Sequence, residues 1–255
     1  MSAKTDFSLS SKTLSKPLGL LLGLLVGVTL LWAGDKAWKA KPYQQWNEKE
    51  VQAVLTDSPW VKMTPIQRSW APSGSTEAQE RSNGGGRPQT PGAKPASNAP
   101  AGADEDTQEK ELNVQIYWQS SRVMRAATAR QAVLHGEKVD VDQYASQPQE
   151  EYQIVVRMQD MTPFQQHDEK FFQSNAFLQM KKSKEKVPPT HVVYEKNSQG
   201  LIADVVFFFA KTNSSSAPTI SADETEVQFS CKIGDTTVRV GFKPRDMVDQ
   251  SGPAL

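Results

Sequence analysis

The chain has 255 residues, 37% of them hydrophobic, and its 29 Lys and Arg side chains balance 29 Asp and Glu side chains to a formal net charge of zero. No global field draws such a protein to nucleic acid, and we predict no nucleic-acid partner. The single cysteine, Cys231, excludes an intramolecular disulfide, a cysteine-rich zinc motif and a lipidation cysteine after the N-terminal apolar run.

Residues 1–34 have the composition of an export segment. Three lysines precede a run of sixteen uncharged residues, 18–33. As a helix this run spans roughly 24 Å, less than the ~30 Å hydrocarbon core of a bilayer, which is typical of a signal peptide. The best cleavage box, 31–33, has bulky Leu31 where a small residue is preferred, and this favours a retained signal anchor. A cleaved signal, a retained anchor and neither of the two stay open.

Three glycines within the apolar run, Gly19, Gly23 and Gly27, are spaced four residues apart. On a spanning helix they lie on roughly one face and let a second helix approach closely. A helix–helix contact is therefore one hypothesis. The alternative is that glycines are simply common in apolar export segments.

Residues 43–70 are predicted to form a short helix and a strand. Asn47 and Glu50 have the spacing of a capping box, and the helix should end before Pro59. A strand interrupted by Pro65 would follow. Three tryptophans in this stretch need burial that such short elements cannot supply, so we expect the stretch to dock on the main domain or on a partner. Interfacial aromatics beside an anchor are the alternative.

Residues 71–111 contain five prolines, six glycines and no Val, Ile, Leu, Met, Phe, Tyr or Trp. Such a segment cannot bury enough apolar surface to offset the entropy of ordering. We predict a long disordered linker or insertion.

Residues 112–248 are predicted to form an α+β domain. Alternating apolar residues indicate about six strands in a mainly antiparallel sheet, and one or two helices pack on it. A helix should begin at Ser120 or Ser121 and end at Gly136, and a shorter one should begin near Thr162. Gly234 should turn a closing hairpin. Residues 249–255 are expected to be a loose tail.

The residue types that carry catalysis do not form a recognisable motif. His135, His167 and His191 lack the spacing of a zinc site, and we predict no metal ligand, cofactor or catalytic residue. Cys231 alternates with apolar neighbours and is expected to be a core residue rather than a nucleophile. Asp204, at the start of an apolar strand, is expected to have a strand-end role.

Three arginines of the predicted helix, Arg122, Arg125 and Arg130, are the candidate binding residues. Arg122 and Arg125 are three residues apart and would form a local positive spot on one side of the helix. This spot could contact an anion or a phospholipid headgroup. The alternative is an ordinary solvated helix face.

Four short motifs carry a resemblance to other proteins. They are W-x-E-K-E from Trp46, S-P-W ending at Trp60, W-x-S from Trp118 and F-x-P-x-D-M from Phe242. In this order after an export segment, they resemble a group of uncharacterised exported bacterial proteins. The resemblance implies bacterial export and one domain from about residue 43 to 248, and it implies no activity.

These observations favour a non-enzymatic binding or scaffolding protein that is exported and associated with the envelope or secreted. Its partner would be an unknown protein or envelope component, with membrane contact through residues 18–33. It would lie in the periplasm or outside the cell, or be anchored to the inner membrane by an N-terminal helix. Two alternatives are a hydrolase-like extracytoplasmic enzyme with an unidentified active site and a single-pass membrane-anchored subunit of an envelope complex.

Overall fold

A computed structural model describes residues 36–70 and 111–255. The helices in chain order are α1 Ala37–Ala40, α2 Glu48–Thr56, α3 Arg122–Leu134, α4 Val141–Ser146, α5 Thr162–Gln165 and α6 Glu169–Asn175. The strands are β1 Val61–Gln67, β2 Glu111–Trp118, β3 Glu151–Met158, β4 Ala176–Met180, β5 Lys186–Val187, β6 His191–Lys196, β7 Ile202–Ala210, β8 Val227–Ile233, β9 Thr236–Phe242, β10 Val248–Asp249 and β11 Gly252–Pro253. Short 3₁₀ helices span Tyr43–Gln45 and Pro244–Asp246.

Three sequence-based predictions lie outside the described residues. They are the export or anchor helix of residues 1–34, the helix–helix contact of Gly19, Gly23 and Gly27, and the disordered insertion predicted for 71–111. Only Glu111, the last residue of that insertion, is described, and it begins β2. In the described part of the chain, no helix is long and apolar enough to cross a membrane.

The predicted α+β class is confirmed, but the strands form two main sheets rather than one. A five-stranded antiparallel sheet has the order β1-β2-β3-β7-β6, and a four-stranded antiparallel sheet has the order β5-β4-β8-β9. Strands β10 and β11 form a small hairpin of their own. The prediction of a single sheet is wrong. Alternation of apolar residues shows which face of a strand is buried, but it does not show which strand lies next to it.

The main core lies between the inner faces of the two sheets. Opposed residues Ile116, Val156 and Val205 are fully buried on the inner face of the five-stranded sheet. The ring centroids of Phe207 on β7 and Phe229 on β8 lie 5.2 Å apart across the interface. Aromatic pairs at this separation join the two layers by burial and by edge-to-face contact.

The described residues before the first gap in the chain, 36–70, are part of the same core, and their tryptophans are buried in it. Strand β1 pairs along its length with β2, and Trp46 and Trp60 are buried in the cluster that contains the β2 side chains. Asn47 caps the N-terminus of α2, and its side chain accepts a hydrogen bond from the Glu50 amide in the predicted capping box. Pro65 does not interrupt β1, because β1 is an edge strand that can omit one N–H.

Helices α2, α3 and α4 lie beside the outer face of the five-stranded sheet. Ser121 caps α3, and Gly136 follows it with a φ of 92°, as the sequence predicts. Helix α4 was not predicted from the sequence. Asp140 caps its N-terminus, and the Asp140 carboxylate accepts from the Gln143 amide. Contact between these helices and the sheet buries part of the outer face as well.

The chain end differs from the expected loose tail. Residues 248–253 form a hairpin, and Ala254 is buried with its amide donating to the carbonyl of Met247. The indole N–H of Trp60 donates to the carbonyl of Ala254 at 2.5 Å. A buried indole needs an acceptor, and the chain end supplies it, which local composition cannot reveal.

Candidate functional site

A groove of about 340 Å³ lies on the outer face of the five-stranded sheet, alongside α2, α3 and α4. Its volume is within the range of small-ligand sites. The helices contribute Leu55, Met124, Thr128, Gln131 and Tyr144, and the sheet and its loops contribute Gln115, Tyr117, Gln119, Gln153, Val155, Arg157, Glu195, Asp204, Val206 and Phe208. We call this cavity the groove.

The floor of the groove is apolar because neighbouring strands place their outward side chains in register. Tyr117, Val155 and Val206 are opposed on β2, β3 and β7. Both valines are buried, although they point away from the main core. Phe208 extends the floor towards β6, where His191 stacks on it at 4.1 Å. The floor therefore offers one apolar side to a ligand.

A single ion pair crosses the floor of the groove. Arg157 Nε and Nη2 each donate to an oxygen of Asp204 at 2.6 Å, and only 9% of the Asp204 side chain is exposed. This bidentate hydrogen bond raises the pKa of Arg157 above its ordinary value. Burial raises the pKa of Tyr117, and the Asp204 charge adds to the effect, so the phenol stays neutral. The pair cancels its own charge and fixes both side chains.

The remaining polar lining of the groove is rich in amides. Gln115, Gln119, Gln131 and Gln153 are all part of it. Gln115 Nε2 donates to the carbonyl of Leu55 at 3.1 Å, which ties the sheet to α2. An amide side chain both donates and accepts, so this lining suits an uncharged ligand with amide or hydroxyl groups.

The three arginines of α3 have intramolecular partners. Arg122 Nη2 is 2.7 Å from the Asp249 carboxylate, and its Nε donates to the same group at 3.0 Å. Buried Arg125 donates to two backbone carbonyls at the α4 end, at 3.0 and 2.7 Å. Arg130 donates to the carbonyl of Trp46 at 3.0 Å. The structure does not bring them together as a free positive spot, and the anion contact stays a prediction.

Cys231 and the histidines do not form a catalytic arrangement among the described residues. Cys231 is fully buried, and burial raises the pKa of its thiol, so it is held as the neutral core residue predicted from its strand. His135 caps the end of α3, and His167 stacks on Phe171 with centroids 3.9 Å apart. Within the ranges 36–70 and 111–255, no three His, Cys, Asp or Glu side chains form a cluster that could hold a metal ion.

One hydroxyl does lie beside a histidine, at the exposed β6 edge. Thr190 Oγ1 is 3.1 Å from His191 Nδ1, and it donates to the Glu151 carboxylate at 2.5 Å. The same hydroxyl also lies 3.2 Å from the carbonyl of Phe208, so the histidine is one of three polar groups around it. None of Thr190, His191 and Glu151 lines the groove.

Sequence reasoning missed the ion pair of the groove. Asp204 was expected at a strand end, but it lies within β7 and pairs with β3. The sequence does contain a signal for this pair. Arg157 is the only charged residue of the stretch 154–158, and Asp204 is the only charged residue of the stretch 201–210. Opposite charges on two strands with such stretches are expected to meet if the strands are neighbours.

The chain was compared with family models, curated proteins and solved structures, and no match was found in any of the three comparisons.

Proposed function

We propose that this protein is an exported, envelope-associated or secreted binding or scaffolding protein, and that its groove holds an uncharged ligand rich in amide or hydroxyl groups. The observation that carries this proposal is the groove lining. Four glutamines surround an apolar floor, and its one buried carboxylate is neutralised by Arg157. Such a lining recognises shape, hydrogen bonds and one apolar side rather than charge.

The same lining favours binding over catalysis. A general acid or base needs a titratable group that is free to exchange a proton with the substrate. In the groove, Asp204 accepts two short hydrogen bonds from an arginine, and Tyr117 has a raised pKa. These features support a non-enzymatic role.

Export is supported by the sequence before residue 35 and by the four short motifs that resemble those of exported bacterial proteins. Its test is fractionation of cells, followed by intact mass and N-terminal sequencing. A soluble species that begins near Gly34 indicates a cleaved signal, and a membrane-bound species that retains residues 18–33 indicates an anchor. Recovery of the whole chain from the cytoplasm would contradict the proposal.

Binding in the groove is tested by calorimetry of the protein as recovered from cells, with uncharged oligosaccharides, soluble peptidoglycan fragments and uncharged peptides as probes. Gln131→Trp fills the groove from α3 and is expected to weaken binding at least about tenfold. Gln228→Trp is the matched control, because Gln228 is a half-exposed residue of β8 that does not line the groove. Equal affinity of Gln131→Trp and wild type, or no binding of any probe, contradicts the groove. Chemical conversion of a bound probe contradicts the non-enzymatic role.

A further inference from the structure

A second cavity, of about 430 Å³, lies between α1, the α2–β1 turn and the end of β9. It shares no lining residue with the groove. Four lysines line it: Lys36, Lys39, Lys62 and Lys243. Trp38, Asp57, Ser58, Pro59, Gly241 and Asp246 complete the lining. We call this cavity the lysine cleft.

The lysine cleft has an excess of positive charge. Its four lysines face two aspartates, which leaves two positive charges without a carboxylate in the lining. The Lys36–Asp57 pair is 3.3 Å long and solvent-exposed on both sides, so solvent weakens it strongly. Asp246 has Arg245 as a neighbour at 3.7 Å. Glu226 packs near Gly241, but its carboxylate is paired with Lys181 at 3.2 Å.

Lys62 is half-buried, whereas the other three lysines of the cleft are exposed. Its side chain crosses the ring of Phe242, with Nζ 5.7 Å from the centroid. Burial lowers the pKa of Lys62; Asp246 opposes this shift and Lys243 adds to it. The positive charge of Lys62 is therefore only partly compensated by the residues around it. An anion in the cleft would compensate it.

Two buried donors of the lysine cleft also lack partners. The indole N–H of Trp38 and the hydroxyl of Ser58 have no hydrogen-bond partner within the described residues. Trp38 is 3% exposed and Ser58 is 8% exposed. Buried polar groups in folded proteins are nearly always satisfied. These two donors belong to residues that line the cleft, so an acceptor bound there would satisfy them after a small shift of their side chains towards it.

We propose that the lysine cleft binds a phosphate group, held by its lysines and by the Ser58 and Trp38 donors. Phosphate oxygens accept charge-assisted hydrogen bonds from ammonium groups and ordinary ones from hydroxyl and indole donors. The phosphate can belong to a free phosphate ion or to a phospholipid headgroup. Lys36 follows the apolar run 18–33 by only three residues in sequence, which makes the headgroup a source that the experiment has to separate.

The test measures binding of two probes to the full-length protein in an uncharged detergent, by calorimetry and by ³¹P NMR. The probes are inorganic phosphate and glycerophosphoglycerol, the headgroup of phosphatidylglycerol without its acyl chains. The test variant is Lys39→Gln with Lys243→Gln, because both side chains are exposed and their loss does not empty the core. We expect this double variant to weaken binding about tenfold, because two ammonium contacts are lost.

The control variant makes the same charge change elsewhere. Lys196→Gln with Lys232→Gln removes two exposed lysines that do not line the cleft, and we expect its affinity to stay within about twofold of wild type. Ser58→Ala removes the orphaned hydroxyl and should weaken binding severalfold without lowering stability. Binding of the headgroup alone or of phosphate alone assigns the source, and binding of both supports the shared phosphate chemistry. No binding of either probe, or equal loss in both double variants, overturns the proposal.

This proposal stands apart from the groove, because the two cavities have no lining residue in common. Gln131→Trp should leave phosphate binding unchanged, and the lysine variants should leave binding of uncharged probes unchanged. The two binding assays therefore report on the two proposals separately, and one proposal can fail without the other.

Discussion

Asp160 is the acceptor that ties the end of β1 to the loop after β3, and its replacement by asparagine gives a sharp test of the fold. Its Oδ2 accepts from Arg68 Nη2 at 2.6 Å and from the Trp70 indole at 3.0 Å. Its Oδ1 accepts from the amide and the hydroxyl of Thr162 at 3.0 and 2.6 Å. Only 12% of the Asp160 side chain is exposed.

Asp160→Asn keeps the acceptor that faces Thr162 and puts an NH₂ group opposite the two donors Arg68 and Trp70. Hydrogen bonds to a charged group contribute about 1.5–3 kcal/mol each, and partial exposure of Arg68 reduces the sum. We therefore expect the free energy of unfolding to fall by about 3 kcal/mol. Urea unfolding followed by tryptophan fluorescence measures the loss.

The effect should also depend on pH. Burial by itself would raise the pKa of Asp160, but the hydrogen bonds from Thr162, Trp70 and Arg68 outweigh it and hold the pKa below its ordinary value of 3.8. A group with a lowered folded pKa contributes stability above its unfolded pKa and loses it as the pH falls through the folded pKa. The difference between wild type and Asp160→Asn should be constant near neutral pH and shrink below pH 3.8.

Asp57→Asn is the matched control, because its side chain is 84% exposed and, among the described residues, its ion pair is with exposed Lys36. We expect it to change stability by less than about 0.5 kcal/mol. The reasoning fails if Asp160→Asn costs no more than Asp57→Asn, or if its deficit stays constant well below pH 3.8 while both proteins remain folded.

Three further predictions concern single positions. Trp60→Phe removes the donor to the carbonyl of Ala254 and should lower stability by about 2–3 kcal/mol in urea, with the segment 248–255 becoming more sensitive to proteolysis. Cys231 should react with a thiol reagent at least a thousandfold more slowly in the folded protein than in urea, and fast labelling of the native protein would contradict its burial. Gly234→Ala, where a Cβ atom would lie 2.8 Å from the Trp70 ring, should cost more than Gly200→Ala, where no atom lies within 4 Å. Both glycines have positive φ, so the difference measures the clash alone, and equal thermal shifts would contradict it.

The faces of the strands could be predicted from the sequence because burial follows a period of two. Val114, Ile116 and Trp118 alternate in sequence and are all fully buried on the inner face of β2. Cys231 is buried on β8 for the same reason. The closing hairpin at Gly234 could also be predicted. Its tight turn needs a residue with positive φ, and a glycine between two alternating segments is the sequence signal of such a turn.

The division into two sheets could not be predicted in this way. Strand β4 pairs with β8, which follows it by about fifty residues, and β7 pairs with β3. Alternation of apolar residues shows which face of each strand is buried. Every strand order that buries those faces agrees equally well with this pattern. The choice depends on side-chain contacts between layers, such as the Phe207–Phe229 contact, and on no local pattern.

The groove was missed for a related reason. Arg157 and Asp204 are 47 residues apart and meet only because β3 and β7 are neighbours. The sequence around each side chain gives it an ordinary role by itself. For Asp204 that role is a position at the end of a strand. The floor of the groove is seen to be neutral only when Arg157 and Asp204 are considered as an ion pair, with Tyr117 beside it.

The contrast between arginine and lysine explains why the arginines of α3 have internal partners while the lysine cleft keeps uncompensated positive charge. Arginine presents five donors in a planar fork, so an arginine near carboxylates or carbonyls becomes part of the fold. Arg122, Arg125 and Arg130 do this through Asp249 and backbone carbonyls. Lysine is a point charge on a mobile stem and makes weaker internal contacts at a surface, so it keeps its charge for a ligand. A cluster of basic residues in a sequence therefore points to anion binding only after its internal partners are known. In this fold the lysines of the cleft are the basic group for which we propose it.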